Sequence, residues 1–238
     1  MTDHVLDNAG WHSLLGAHAD VAEGSGRARR YRPAVSVFHA TEDTSAAAWD
    51  DLVPLASSDG VVVLFRVGGI EPPDGWTALF GGDGHQMVLT EPLADVPVLP
   101  ATDPETGRAV TMRPLGDDDV EAMVALVALT EPGPFRPRTI ELGGYVGIFH
   151  DDELVAMAGQ RLAPPGYREV SAVCTRPEAR RRRYASIVTA AVSRAVLAGG
   201  ETPFLHVAVT NTPAIPVYEQ LGFTHRAIAR FGAFRAPR

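Results

Sequence analysis

The sequence is poor in cysteine, lacks lysine and has only short apolar runs. Its single cysteine, Cys174, excludes an internal disulfide framework and a cysteine-based zinc cluster. The longest apolar runs are about the length of residues 61–65, far below the roughly 18 residues that a membrane-spanning helix needs. The amino terminus is acidic and shows no apolar segment typical of a secretory signal. We therefore expect a cytoplasmic protein without a metal site or membrane association.

The charge is unevenly distributed along the 238 residues. Hydrophobic residues make up 45% and charged residues 21%, as in an ordinary folded protein. The net charge of −8 argues against nucleic acid as the main partner. Residues 161–238 nevertheless contain 12 arginines against four acids, whereas residues 1–160 contain nine arginines against 25 acids. This asymmetry indicates a local site for a small anionic ligand, although compositional drift would explain it equally well.

A stretch rich in proline, threonine and aspartate at residues 97–108 predicts a linker. We place an N-terminal α/β domain at residues 1–105 and a second domain at residues 109–238. In the first domain, hydrophobic spacing predicts helices over residues 12–22 and 44–56. Strands are expected at Val61–Val67, Trp76–Phe80 and Gln86–Leu89, separated by glycine-rich turns.

The second domain shows a clearer alternation of strands and helices, which predicts a mixed α/β sheet. The predicted strands are Val110–Arg113, Tyr145–His150, Leu154–Leu162, Glu169–Thr175, Phe204–Val209 and one or two strands within Phe223–Phe234. The predicted helices are Val120–Leu129, Thr139–Leu142, Arg182–Ala198 and Ala214–Leu221.

Two segments of the second domain indicate chemistry. In Val173–Ser186 a strand ends, a proline turn follows, and four consecutive arginines open a helix. Free N–H groups and the helix dipole favour an anion at such a place, although the arginine run alone would fit a solvated basic face. In Asn211–Phe223 an asparagine follows a strand, a helix carries Tyr218, and Leu-Gly-Phe leads into another strand. Tyr218 would otherwise be a core aromatic residue.

Together these segments resemble the GNAT superfamily of acyl-CoA-dependent N-acyltransferases, and most closely its glycine N-acyltransferase-like branch. The family's first pattern, Val-x-Thr-x-Pro-x-x-Arg-Gly-x-Gly-Tyr-Ala, is matched by Val173, Thr175, Pro177, Arg180, Tyr184 and Ala185. The second, Asn-x-x-Ala-x-x-x-Tyr-Glu-x-x-Gly-Phe, is matched throughout by Asn211, Ala214, Tyr218, Glu219, Gly222 and Phe223. The resemblance covers residues 109–238. The N-terminal domain is interpreted as a degenerate copy of the same half-fold.

The resemblance implies transfer of an acetyl or short acyl group from CoA to a primary amine by direct attack in a ternary complex. The acyl-CoA would be the cosubstrate, with no metal, and the acceptor a small amine or amino acid entering between the loop of residues 132–137, the β-hairpin and the N-terminal domain. A homodimer is left open. The implied cosubstrate-binding positions are Val173, Cys174, Thr175, Arg180, Arg181, Arg182, Arg183, Tyr184, Ala185, Ser186 and Asn211.

The implied catalytic residues are Glu169 as general base and Tyr218 as the acid that protonates the leaving thiolate. Strand alternation predicts that Glu169 shares a face with Ser171, Val173 and Thr175, and that Cys174 points to the opposite face. An acyl-cysteine route is therefore not expected. A rim carboxylate paired with Arg168 or Arg161 is an equally good interpretation of Glu169.

The chain departs from the family where two loop glycines are replaced by Arg181 and Arg183. Glycine allows positive φ and close approach of the backbone to a pyrophosphate. The loop would therefore either stay helical and add guanidinium contacts to phosphate, or bind the cosubstrate weakly or not at all. The second outcome describes a non-catalytic acyl-CoA-sensing or interaction module. Nucleic-acid binding by the arginine run is disfavoured by the acidic chain and by the lack of interleaved aromatics.

Overall fold

The computed structural model describes residues 4–237, which form eleven strands and five α-helices linked by short 3-10 turns. The strands are β1 (Ala22–Glu23), β2 (Ala28–Tyr31), β3 (Phe38–Thr41), β4 (Val61–Val67), β5 (Thr77–Leu89), β6 (Val110–Leu115), β7 (Tyr145–His150), β8 (Glu153–Gln160), β9 (Tyr167–Thr175), β10 (Thr202–Ala208) and β11 (Phe223–Arg235). The helices are α1 (Ala9–Leu15), α2 (Ala46–Asp50), α3 (Val120–Thr130), α4 (Tyr184–Ala198) and α5 (Ile215–Gln220).

All strands belong to one sheet in the order β1-β2-β3-β4-β11-β5-β10-β9-β8-β7-β6. Neighbouring strands are antiparallel except for the parallel pairs β3–β4 and β9–β10. The predicted mixed α/β class is therefore confirmed. The two halves of the chain contribute opposite ends of this sheet and meet in its middle.

The middle of the sheet interlocks the two halves. Strand β5 comes from the first half but lies between β10 and β11 of the second half. Strand β11 in turn pairs with β4 of the first half, from Ala229 opposite Val67 to Arg235 opposite Val61. The linker predicted at residues 97–108 lies in the connection between β5 and β6. The parts on either side of it are joined by shared strands, not by a linker alone.

The glycine-rich segment Gly81–Gly84 lies inside β5, so the turn predicted there is wrong and the two predicted strands are one. The glycines are needed because β11 runs very close by. A Cβ on Gly82 would lie 2.7 Å from the Phe231 ring, and one on Gly81 would lie 2.9 Å from the Phe231 carbonyl oxygen. Crowding against a neighbouring strand thus explains a pattern that sequence alone presents as a turn.

Helix bounds in the first half differ from the prediction. Helix α1 begins earlier than expected and ends at Gly16, whose N–H donates to the His12 carbonyl at 3.1 Å. Helix α2 covers only part of residues 44–56 and begins after Ser45, whose hydroxyl caps the helix by accepting the Ala48 N–H at 3.3 Å. Strands β1 to β3 were not predicted. They are only two to four residues long, and β2 carries two consecutive arginines in place of an apolar alternation.

The core is divided by the sheet. Helices α4 and α5 cover one face, where Val188 and Leu221 pack with sheet residues such as Val170 and Leu205. Helices α1 and α3 cover the other face in two clusters, one with Leu14, Tyr31, Leu162 and Phe204, the other with Met123, Leu126, Met157 and Cys174. Within residues 4–237, every helix is too short or too polar to cross a bilayer.

Candidate active site

The sheet opens between β9 and β10. These parallel strands pair over three residues only, Tyr167–Glu169 with Thr202–Phe204. Beyond these residues β9 continues to pair with β8, and β10 continues to pair with β5. Within the described residues, however, β9 and β10 form no further pairs with each other. Free main-chain groups on both sides of such an opening can pair with an extended ligand as with an additional strand.

A β-bulge lies in β9 beside this opening. Ser171 is opposite Gly159 and Cys174 is opposite Met157, so two residues of β9 face a single residue of β8. Ala172 has a φ of 53°, which is unusual for a residue with a Cβ. The bulge re-aims the side chains that follow it.

The bulge corrects the predicted arrangement of faces. Val170 and Val173 both pack into the cluster with α4, although strict alternation would separate them. Cys174 packs with Met157 on the α3 side. Glu169 and Cys174 thus point to the same side of the sheet, whereas alternation placed them on opposite sides. A bulge has no reliable sequence signal, so alternation could not reveal it.

Glu169 is fully buried in a bidentate ion pair. Arg161 donates to its two oxygens at 2.8 and 2.7 Å, and the Leu162 N–H adds a contact at 3.2 Å. Burial would raise the pKa of Glu169, but Arg161 and His206 outweigh it and lower the pKa to about 2. Of the two partners considered, Arg161 is the correct one, because Arg168 pairs with Glu201 at 3.0 Å. The carboxylate lies in the interior, not at a rim.

A chain of polar side chains extends from Glu169 towards the surface. His206 Nδ1 lies 2.7 Å from Glu169, and its Nε2 lies 3.0 Å from the amide nitrogen of Gln86. Arg226 donates to the Gln86 oxygen at 2.6 Å and to Asp7 at 2.7 Å. Since the Gln86 oxygen accepts from Arg226, its NH2 must donate to His206, and His206 must donate through Nδ1 to Glu169. Burial lowers the pKa of His206, consistent with this neutral tautomer.

Sequence reasoning named Arg161 as one of two candidate partners of Glu169 but missed His206 and, beyond it, Gln86. His206 lies in β10 and Gln86 in β5, both far from Glu169 in the sequence. Their only signal is that a carboxylate in a strand of a folded protein needs a cationic or hydrogen-bonding partner. That rule names no partner.

Tyr218 lies on α5 with its ring in the α4-side cluster, and the residue is 8% exposed. Burial raises its pKa to about 12, and the Cys174 thiol of β9 adds to the shift. The hydroxyl has no hydrogen-bond partner in the part of the chain described. A protonated phenol without a protein partner can donate a proton or a hydrogen bond to a ligand between β9 and α5.

Two other positions flank the far end of the opening. The Thr175 hydroxyl is buried and finds no hydrogen-bond partner among residues 4–237. Asn211 follows β10 and is exposed; its N–H donates to the Ala208 carbonyl at 2.9 Å, and its carbonyl accepts the Ala214 N–H at 3.1 Å.

Cys174 has its side chain buried among apolar residues, and burial raises its pKa to about 11. It can face a ligand in the opening only through its main chain.

Residues 180–183, called the arginine loop below, are not helical. A 3-10 turn at Pro177–Ala179 precedes them, and α4 begins only at Tyr184, so the helix start predicted at Arg182 is wrong. Arg181 and Arg183 have φ values of 65° and 61°. They thus adopt the left-handed conformation at the two positions where the family has glycine. The N–H groups of the following helical turn, including those of Ala185 and Ser186, need partners from outside the helix.

The four arginine side chains have different environments. Those of Arg180, Arg181 and Arg183 are exposed. The Arg182 guanidinium is turned to Asp103 and Glu105 instead, with a distance of 2.7 Å to Glu105. The predicted cosubstrate contact of Arg182 is therefore left to its main chain. Tyr184 is buried, and its hydroxyl lies 2.9 Å from His150 Nε2.

The residues that directly follow the loop of residues 132–137, which is expected to border the acceptor, are bound to the first half of the chain. The Arg138 N–H donates to the Ala34 carbonyl at 3.2 Å, and the Thr139 hydroxyl donates to the Val35 carbonyl at 2.7 Å. Among residues 4–237, no group of three or more His, Cys, Asp or Glu side chains is arranged to hold a metal ion.

The open strands, the unpartnered Thr175 hydroxyl and the arginine loop together fit an elongated ligand with an anionic end. The family model described as FR47-like protein matches residues 145–231. No curated protein matches the chain.

Solved structures resemble the chain over its full length. A protein of Novosphingobium aromaticivorans, named as an acetyltransferase from the GNAT family, is 34% identical; the match covers 99% of this chain and 100% of that one, with a TM-score of 0.86. A GCN5-related N-acetyltransferase from Kribbella flavida is 18% identical, with 97% and 96% covered and a TM-score of 0.66. At 18% identity, the similarity to the Kribbella flavida protein shows a shared fold only.

Proposed function

Because the chain belongs to the GNAT family of acetyltransferases, we propose that it transfers an acetyl or short acyl group from CoA to a primary amine by direct attack in a ternary complex. The observation that carries this proposal is the opening between β9 and β10, with its bulge on one side and the arginine loop at its end. When bound, the acyl-CoA supplies an activated thioester. The acceptor class, a small amine or amino acid, is part of the proposal.

The arrangement of the chain supports specific roles in holding the cosubstrate. We assign the pantetheine arm to the main chain of Val173 and Thr175, whose strand edge faces the opening. The pyrophosphate is assigned to the N–H groups at the start of α4 and to the exposed guanidinium groups of Arg180, Arg181 and Arg183. Charge-assisted hydrogen bonds from guanidinium groups to phosphate are among the stronger ones in proteins.

The environment of Glu169 argues against the base role expected from the sequence. An alkylammonium group has a pKa near 10. Proton transfer from it to a carboxyl group whose pKa is about 2 would be strongly uphill. We propose instead that the ion pair of Glu169 with Arg161 fixes the floor of the opening. The acceptor would then react as its free amine, with its proton passing to solvent.

Tyr218 is proposed to assist the leaving group. Its raised pKa keeps the phenol protonated at neutral pH, and its hydroxyl is not engaged elsewhere among the described residues. A thiolate with a pKa near 8.5 is already a fair leaving group. The contribution of Tyr218 is therefore expected to be moderate.

A second function is favoured by one observation, the absence of a free base at Glu169 in the described structure. A module that binds acyl-CoA without turning it over would need the opening and the arginine loop but no base. The finer assignment to the glycine N-acyltransferase-like branch stays a prediction from the two motifs of residues 173–186 and 211–223.

Thermal unfolding and thiol release together test both functions. A ligand present at 100 times its Kd stabilises the folded state by about 2.7 kcal/mol. We expect acetyl-CoA to raise the melting temperature and, with a panel of amino acids, polyamines and aminoglycosides, to release free thiol. Stabilisation without thiol release from any amine would favour the sensing module. No stabilisation at millimolar acetyl-CoA would contradict both functions.

A further inference from the structure

The connection between β5 and β6 supplies a buried carboxylate to the arginine loop. Asp103 lies in this connection and is fully buried. Its Oδ1 accepts the Glu105 N–H at 3.0 Å and both the N–H and the hydroxyl of Thr106, at 2.8 and 3.1 Å. Since these donors belong to its own turn, they orient the carboxylate independently of its contact with Arg182.

Arg182 joins this carboxylate to the backbone of the arginine loop. Its Nε donates to Asp103 Oδ2, and its Nη2 lies 3.4 Å from Oδ1. The same guanidinium donates through Nη1 to the carbonyls of Glu178 at 2.7 Å and Arg180 at 3.3 Å. One partly buried side chain thus ties the turn before the loop, the loop itself and the connection between the two halves of the chain.

The arginine loop needs such a restraint because of its residues. Arg181 and Arg183, on either side of Arg182, both have positive φ, a conformation disfavoured for residues with a Cβ. Such backbone persists only where its surroundings hold it. Glycine at these positions would adopt the same conformation without that cost.

We propose that Asp103 is a positioning residue for cosubstrate binding. Through Arg182 it holds the arginine loop in the left-handed conformation that presents its main chain to the CoA pyrophosphate, in place of two glycines. This inference rests on the proposed function, since it concerns the affinity of the same site.

The expected effect follows from the population of the binding conformation. If loss of the ion pair leaves the loop in that conformation for about a tenth of the time, the apparent Kd rises about tenfold. The Asp103→Asn variant is suitable because the amide is isosteric and its oxygen still accepts from Thr106 and Glu105. Glu105→Gln is the matched control, since it removes an exposed partner of the same guanidinium, for which we expect a change below about twofold.

The experiment is a double-mutant cycle measured by calorimetric titration with acetyl-CoA, at a temperature where all variants are folded. Asp103→Asn is introduced into the parent and into a variant carrying Arg181→Gly and Arg183→Gly. We expect the Kd to rise about tenfold in the parent and less than threefold in the glycine background. A loss of general stability would not be rescued in this way. An equal rise in both backgrounds, or none in the parent, would overturn the inference.

Hydrogen exchange tests the same inference without ligand. Asp103→Asn should speed amide exchange at residues 180–186, whereas Glu105→Gln should not. Unchanged exchange at these residues would overturn the inference even if affinity fell. Should the parent bind no acetyl-CoA at all, the proposed function fails, while the exchange experiment still decides whether Asp103 holds the loop.

Discussion

Acidification should weaken the fold through Glu169. The pKa of this buried carboxyl is about 2 in the folded chain, against an ordinary value of 4.5. Because the folded pKa is the lower one, its stabilising contribution is present above about pH 4.5 and disappears as the pH falls towards 2. The difference corresponds to about 3 kcal/mol, of which about 2 kcal/mol is lost by pH 3. Urea unfolding of the parent between pH 7 and pH 3 measures the total loss.

The Glu169→Gln variant isolates the contribution of this one group from that of other carboxylates. At pH 7 it leaves Arg161 buried without its partner, which should cost about 3–5 kcal/mol of unfolding free energy. The difference in unfolding free energy between parent and variant should then be smaller by about 2 kcal/mol at pH 3 than at pH 7. Glu153→Gln serves as a control, because it removes a partly exposed carboxylate paired with Arg108 and Arg176. Parallel pH curves for the parent and the Glu169 variant would refute the assignment of the low pKa to this ion pair.

Further predictions concern catalysis and the arginine loop. Tyr218→Phe should lower the rate of acyl transfer roughly 10²-fold and leave the affinity for acetyl-CoA unchanged. If the variant turns over as fast as the parent while the chemical step limits the rate, Tyr218 is only a core aromatic residue. Arg181→Gly and Arg183→Gly should each raise the unfolding free energy in urea by about 0.5–1 kcal/mol, because relief of positive φ exceeds the entropy cost of glycine; a loss of stability would contradict that reasoning. The value of kcat/KM should rise with pH towards the pKa of the acceptor amine, and a limb titrating between pH 5 and 7 would reveal an enzyme base other than Glu169.

Local patterns of the second half of the chain were sufficient to predict most of its elements. Strand β7 was predicted with its observed bounds, Tyr145–His150, and α4 ends at Ala198 as expected. Strand alternation and helical periodicity are properties of neighbouring residues, so they can be recognised without knowledge of the fold. The start of α4 was missed because arginine favours helices, whereas Arg181 and Arg183 have left-handed backbone on either side of Arg182, whose partners Asp103 and Glu105 are far away in the sequence.

The difference between local patterns and contacts of residues far apart in the sequence also explains what sequence reasoning missed in the site. Strand β5 is inserted between β10 and β11 and runs close to β11 at Gly81 and Gly82. A glycine pair in sequence indicates a turn more often than a crowded strand, so the insertion was not predicted. The environment of Glu169 depends on Arg161, one of the two partners that the sequence suggested, and on His206, which only the assembled sheet brings to the carboxylate. The position of a residue along a strand could be predicted, but its ionisation could not.

The most direct test of the account is hydrogen exchange of the parent protein with and without acetyl-CoA. If the cosubstrate lies in the opening as an added strand with its pyrophosphate at the arginine loop, protection should increase at residues 170–175 and 180–186 and remain unchanged in β1 to β3. Protection elsewhere, or none at saturating acetyl-CoA, would contradict the claim that the opening between β9 and β10 is the acyl-CoA site.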